Sequence, residues 1–269
     1  MIYIKSNDGT KIAVYEFNPQ ERQTVFLIHG WPLSHKIFKY QINLLTDCGY
    51  RVVAVDLRGF GKSDTPVSGY SYDQMAADIF HVVRQMSLRN FILVGFSMGG
   101  AIALRYMNRY NSFGVCRLIL ISAAAPCFAQ KTDFPYGKTI QEVNNLIELA
   151  KIDRPQLCQN FSKQLFASPQ SKSAIDWFRN IALSASGIGT IKSAISLRDE
   201  DGRKDLNCVH VPTYIIHGDK DVVVSNELAE IQHKGIRGST LITLSESGHG
   251  IVYDQLKKFN SVFLTAITD

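Results

Sequence analysis

Nothing in this chain is set up for a disulfide framework or a zinc site. Its five cysteines (Cys48, Cys116, Cys127, Cys158, Cys208) are odd in number, widely scattered and never spaced as C-x-x-C. Reduced thiols in a cytoplasmic protein are the expectation. No apolar run approaches the length needed to span a bilayer. The segment Met1–Gly9 has no basic stretch followed by an apolar block and a small-residue cleavage site, so it does not read as a secretion signal. Runs of Lys and Arg interleaved with aromatics are also missing. The net charge of +5 is mild and mixed with acidic residues, which argues against a nucleic-acid partner. What remains is ordinary: 45% hydrophobic and 20% charged residues in a chain of 269, enough for an ample core.

The pattern of that core is informative. Ile2–Lys5 and Lys11–Phe17 flank Asn7-Asp8-Gly9, a hairpin turn signal. Thr24–His29, Arg51–Val55, Phe91–Gly95 and Arg117–Ser122 are apolar without alternation, as strands buried on both faces require. Helical periodicity fills the gaps at Ile37–Cys48, Tyr72–Gln85 and Met98–Arg109, the second opened by the capping-box signal Ser71-x-x-Gln74. Strands resume at Thr213–His217 and Thr240–Leu244, with a last helix from about Ile251. A hairpin followed by repeated β-α units predicts a mixed sheet with helices on both faces. From Pro126 to about Asn207 no buried strand is expected. Helical patterns near Lys138–Lys151, Arg154–Phe166, Ser171–Ser184 and Thr190–Leu197 replace it. The division predicted is a core of residues 1–125 and 208–269 with a helical cap, 126–207, laid over the strands' C-terminal edge.

One motif gives that edge a chemistry. Gly95-Phe96-Ser97-Met98-Gly99-Gly100 follows an apolar strand and opens a helix. A serine in such a turn is held in strained angles and exposed as a nucleophile, which only very small neighbours two positions away tolerate. The G-x-S-x-G pattern alone is weak, and Ser97 could be a simple helix cap. An activated serine also needs a base and an orienting acid, in the order Ser, Asp or Glu, His. His217-Gly218-Asp219-Lys220-Asp221 and Ser245-Glu246-Ser247-Gly248-His249-Gly250 both follow strands and supply that order. Of the seven histidines, only His249 is flanked by glycines in a loop after a strand. His35, His81, His210 and His233 read as solvated, His29 and His217 as core or turn residues. Asp221 is preferred as the acid because Asp219, directly after Gly218, suits a turn role.

Acyl transfer further needs an oxyanion hole. The N–H of Met98, the residue after the nucleophile, is one donor. Trp31, in His29-Gly30-Trp31-Pro32, is the other: Gly30 permits a close turn, and the proline comes one position too late to remove the Trp31 N–H. The tryptophan ring would also wall a pocket, with Pro32, Phe128, Phe134, Phe166 and Val223 as further candidates. Gly59-Phe60-Gly61-Lys62-Ser63 imitates the tail of a phosphate loop, but Asp56 occupies the required first glycine. It reads as a tight turn closing the sheet edge.

With these residues in view, the chain resembles the α/β-hydrolase superfamily over essentially its whole length. His29-Gly30-Trp31-Pro32-Leu33-Ser34, Asp56 to Asp64 and Gly95 to Gly100 are similar to the bacterial arylesterase and perhydrolase group, once called cofactor-free haloperoxidases. The resemblance implies an eight-stranded, mostly parallel sheet, with Ser97 as nucleophile, Asp221 as acid, His249 as base, and Trp31 and Met98 as oxyanion donors. It implies no metal and no organic cofactor. Small carboxylic esters are the implied substrates. In that group a proline after the pocket tryptophan is associated with hydrogen peroxide replacing water, and Pro32 matches. Two other expectations stand beside this one: a ligand-binding sensor that keeps the triad, and a C–C bond hydrolase of dienoate products. The sequence leaves a homo-oligomer open.

Overall fold

The computed structural model describes residues 1–269. β1 (Ile2–Lys5) and β2 (Lys11–Phe17) form the expected hairpin, with Gly9 at positive φ in its turn. The unbroken apolar runs become β3 (Thr24–Ile28), β4 (Arg51–Val55) and β5 (Phe91–Phe96), and every residue of β3 and β5 is buried. β6 (Val115–Ile121), β7 (Thr213–Gly218) and β8 (Thr240–Leu244) complete the sheet. The order is β1-β2-β4-β3-β5-β6-β7-β8, antiparallel at the first two pairings and parallel in the rest. Parallel pairing forces each connection to cross back over a face, so the chain supplies helices there.

Those helices are α1 (Lys39–Asp47), α2 (Tyr72–Gln85) and α3 (Met98–Arg109). At the start of α2 only half of the expected capping box forms. Ser71 accepts from the Gln74 N–H, but the Gln74 amide turns instead to Asn7 at 2.7 Å. Between β6 and β7 lie α4 (Ile140–Ile152), α5 (Arg154–Gln164), α6 (Lys172–Leu183), α7 (Gly187–Asp199) and the short α8 (Arg203–Leu206). Three contacts seat this segment on strand ends. Trp31, after β3, donates its indole N–H to the Thr190 carbonyl; Gly59, after β4, accepts from Ser186; Gly250, after β8, donates to the Leu165 carbonyl. α9 (Asn226–Gly235) was not expected from the pattern, because polar residues interrupt its short buried stripe of Leu228, Ala229 and Gln232. α10 (Ile251–Asp254) and α11 (Leu256–Thr268) end the fold. No helix is long and apolar enough to cross a membrane.

Burial of two histidines sets an acid limit on this fold. His29 and His217 are fully buried, and loss of hydration pushes both below the usual imidazole range, His29 to about 4. Unfolded, each binds a proton near pH 6.5. The unfolded chain therefore takes up protons first, so stability is level above pH 6.5 and falls as pH drops toward 4. His29 alone accounts for about 3 kcal/mol across that window. Thermal melts at pH 7.5 and pH 5 should show a clear drop in Tm, and equal values would refute this account.

Candidate active site

β5 stops at Ser97 and α3 begins at the next residue. Ser97 has φ 53° and ψ −121°, a strained conformation for a residue with a side chain. The surrounding backbone holds it there. Its N–H donates to the Ile121 carbonyl at 2.9 Å, while its own carbonyl accepts from Gly100 and Ala124. The close approach of strand and helix explains the glycines. A Cβ on Gly95 would stand 2.5 Å from the Gly99 carbonyl oxygen, and one on Gly99 would stand 2.4 Å from that of Ile28.

Facing Ser97 is the loop after β8. His249 Nε2 lies 3.0 Å from Ser97 Oγ, and His249 Nδ1 lies 2.8 Å from Asp221 Oδ2. Both His249 and Asp221 are buried. The second carboxylate oxygen of Asp221 accepts from the backbone N–H groups of Val223 and Val224, at 2.8 and 2.9 Å. Burial alone would raise the Asp221 pKa. The His249 and His217 imidazoles and these hydrogen bonds outweigh it, so the carboxyl stays below its ordinary range. Asp219 is elsewhere: its carboxylate receives only the Ser247 N–H at 3.4 Å, and its carbonyl accepts from Asn226. An imidazole placed between a hydroxyl and a buried carboxylate can take the hydroxyl proton while its own positive charge is stabilised.

Gly30 packs directly on the serine; a Cβ there would meet Ser97 Cβ at 2.7 Å. That contact brings the Trp31 backbone beside the nucleophile, and the Trp31 N–H makes no hydrogen bond to the protein's backbone. Met98 is the first residue of α3, so its N–H belongs to the helical turn that lacks internal partners.

Ser97 opens into a cavity of about 260 Å³. Trp31, Phe128 and Val223 line it. Pro32, Phe134 and Phe166 do not. Pro32 follows Trp31 through a cis bond and lies outside the lining, while Phe134 is spent against Tyr136 and the Arg203 guanidinium. Phe166 packs with Phe178 and Tyr253, above the loop that carries His249. The walls come instead from α4 and α5, through Val143, Leu146, Leu149, Leu157 and Phe161. A signal for them existed: the apolar residues of α4 cover more than the one stripe a helix needs for the core. Lys138, Glu142, Asn145, Asn160 and Gln164 add polar groups to the lining.

Two other expectations need correction. His35 is not a solvated histidine. Its Nδ1 sits 2.7 Å from the fully buried Asp56, and its ring stacks on Tyr15 at 3.5 Å. The turn from Asp56 to Ser63 does not close a lateral edge, since β4 is interior to the sheet. It folds around the Asp56 carboxylate, which accepts from His35, Tyr15 and the Lys62 N–H, and it presents Gly59 to Ser186.

A serine on a strand-to-helix elbow, with an imidazole and a carboxylate from later strand ends of a mixed sheet, is the layout of an α/β-hydrolase-fold enzyme. Comparison with known proteins agrees. The chain belongs to the alpha/beta hydrolase fold family, which matches residues 23–256. It is 46% identical over 260 residues to the AB hydrolase superfamily protein YisY of Bacillus subtilis (strain 168), covering 97% of this chain and 96% of the relative. Among solved structures it is similar to an esterase (EaEST) from Exiguobacterium antarcticum, with a TM-score of 0.96 and 45% identity over 99% of both chains. It is also similar to a bromoperoxidase from Bacillus anthracis, with a TM-score of 0.94 and 32% identity over 100% of this chain and 99% of the other.

Proposed function

We propose that this protein is a serine hydrolase of small carboxylic esters. The observation that supports it most is the unbroken hydrogen-bond chain from Ser97 through His249 to Asp221, at the wall of a mainly apolar cavity. Ser97 Oγ attacks the ester carbonyl as its proton passes to His249 Nε2. The carbonyl oxygen becomes an oxyanion facing the N–H groups of Trp31 and Met98. Collapse of this intermediate releases the alcohol, which takes the proton from His249, and leaves an acyl-Ser97 ester. Water, deprotonated by His249, then releases the acid. A fluorophosphonate probe should label Ser97, and a chromogenic short-chain acetate should be turned over by the wild type but not by Ser97→Ala. Equal inertness of both proteins toward a panel of esters would favour a ligand-binding role.

A second acceptor is favoured by one further feature. The Trp31-Pro32 sequence, and a relative named a bromoperoxidase, support hydrogen peroxide as a substitute for water in the release step. Attack of peroxide on the acyl-enzyme gives a peracid and regenerates Ser97. Proline restricts the backbone of the residue before it, which orients the Trp31 peptide beside the nucleophile. Pro32→Leu is expected to lower the ratio of peracid to acid formed in the presence of peroxide. An unchanged product ratio would remove this part of the reading.

A further inference from the structure

The geometry points to Asp254 as a positioning residue for His249, acting through the backbone of Gly248; we infer this on the reading of His249 as the base. The Asp254 side chain lies outside the hydrogen-bond chain of Ser97, His249 and Asp221 and belongs to the short α10. It is buried all the same, and its carboxylate gathers donors from two separate segments. Oδ2 accepts from the Gly248 N–H at 2.7 Å and from the Ala167 N–H at 2.7 Å. Oδ1 accepts from the Ser168 N–H at 3.1 Å, from the Ser168 hydroxyl, and from the Gln170 amide at 3.2 Å. Gly248 immediately precedes His249. On the other side of the base, the Gly250 N–H donates to the Leu165 carbonyl at 2.6 Å.

The backbone is therefore tied down on both sides of His249: the Ser247–Gly248 peptide, one residue before it, by Asp254, and the His249–Gly250 peptide, directly after it, by the connection between α5 and α6. That connection also supplies the donors that hold Asp254. It lies so close that a Cβ on Gly248 would stand 2.7 Å from the Leu165 carbonyl oxygen and 2.8 Å from the Ala167 nitrogen. The imidazole must meet Ser97 Oγ and Asp221 at once, so its backbone has little latitude. A charge-assisted bond to a backbone N–H is among the stronger ways to hold a loop. A misplacement of about 1 Å is enough to cost on the order of 10²-fold in rate.

Asp254→Asn preserves the shape but faces one of these N–H sets with an amide NH₂. It is expected to lower kcat about 10- to 100-fold with KM nearly unchanged, at temperatures where the variant remains folded. Fluorophosphonate labelling should slow in parallel, and the downfield proton resonance of the His249–Asp221 hydrogen bond should broaden or disappear. A purely structural role would lower Tm and leave that resonance in place. If Asp254→Asn does not fold, the milder Ser168→Ala with Gln170→Ala, which strips donors from the carboxylate, should show the same pattern with a smaller loss. A folded Asp254→Asn with kcat within twofold of wild type and an intact resonance would overturn the inference. Ser97→Ala separates the two ideas: if it still labels and turns over ester, the serine-hydrolase reading is what fails.

Discussion

Asp221→Asn is expected to lower kcat by about 10⁴-fold while the protein keeps its fold. The reason lies in the opposite side of the carboxylate. Oδ1 accepts two backbone N–H groups, from Val223 and Val224, and an asparagine can satisfy them only by placing its carbonyl oxygen there. Its NH₂ is then turned toward His249 Nδ1, which must accept. The imidazole proton moves to Nε2, and the nitrogen facing Ser97 at 3.0 Å becomes a donor with no lone pair for the serine proton. Kinetics on a chromogenic ester and a thermal melt together check this. A variant with kcat within tenfold of wild type would show that Asp221 does not set the tautomer.

Replacing Ser97 has an equally large expected effect on rate, and the choice of replacement decides the effect on stability. Ser97→Ala should reduce turnover by about 10⁴-fold or more and abolish probe labelling. Alanine still carries a Cβ, so it inherits the strained φ of 53°. Ser97→Gly loses the reaction equally but relieves the strain. Strain of about 1–3 kcal/mol, less about 0.5–1 kcal/mol for the greater freedom of unfolded glycine, leaves a gain of roughly 1 kcal/mol. The glycine variant should melt about 2–4 °C above the alanine variant. A melting point at or below that of Ser97→Ala would mean that the elbow stores no strain.

The chain's organisation was legible wherever local pattern and long-range burial agree. β1, β2, β4 and β8 have the expected ends, and so do α2 and α3, because turn and capping residues bound each of them. Ser97, Asp221 and His249 were legible for a related reason: each follows a strand end in a turn or loop rich in glycine and other small or polar residues, a context visible without knowing what packs on it. The cavity was not. Phe134 and Phe166 are as aromatic as Phe128 and Phe161, and only the docking of α4 and α5 decides which of them faces Ser97. Asp254 was hidden differently, since it acts through main-chain N–H groups that no side-chain pattern reveals.

Trp31 carries a division of labour that bears on how such a protein can change over generations. Its indole is tied to the Thr190 carbonyl and forms part of the cavity wall, while its peptide N–H, next to the Gly30 that packs on Ser97, makes no hydrogen bond to the backbone. The first function depends on the identity of the residue; the second is common to every amino acid except proline. In the proposed reaction both oxyanion donors are of this second kind. Inherited substitutions can therefore redraw the walls made by α4, α5 and the indole, and so the range of molecules admitted, while the groups that receive the developing charge stay beyond the reach of most point mutations.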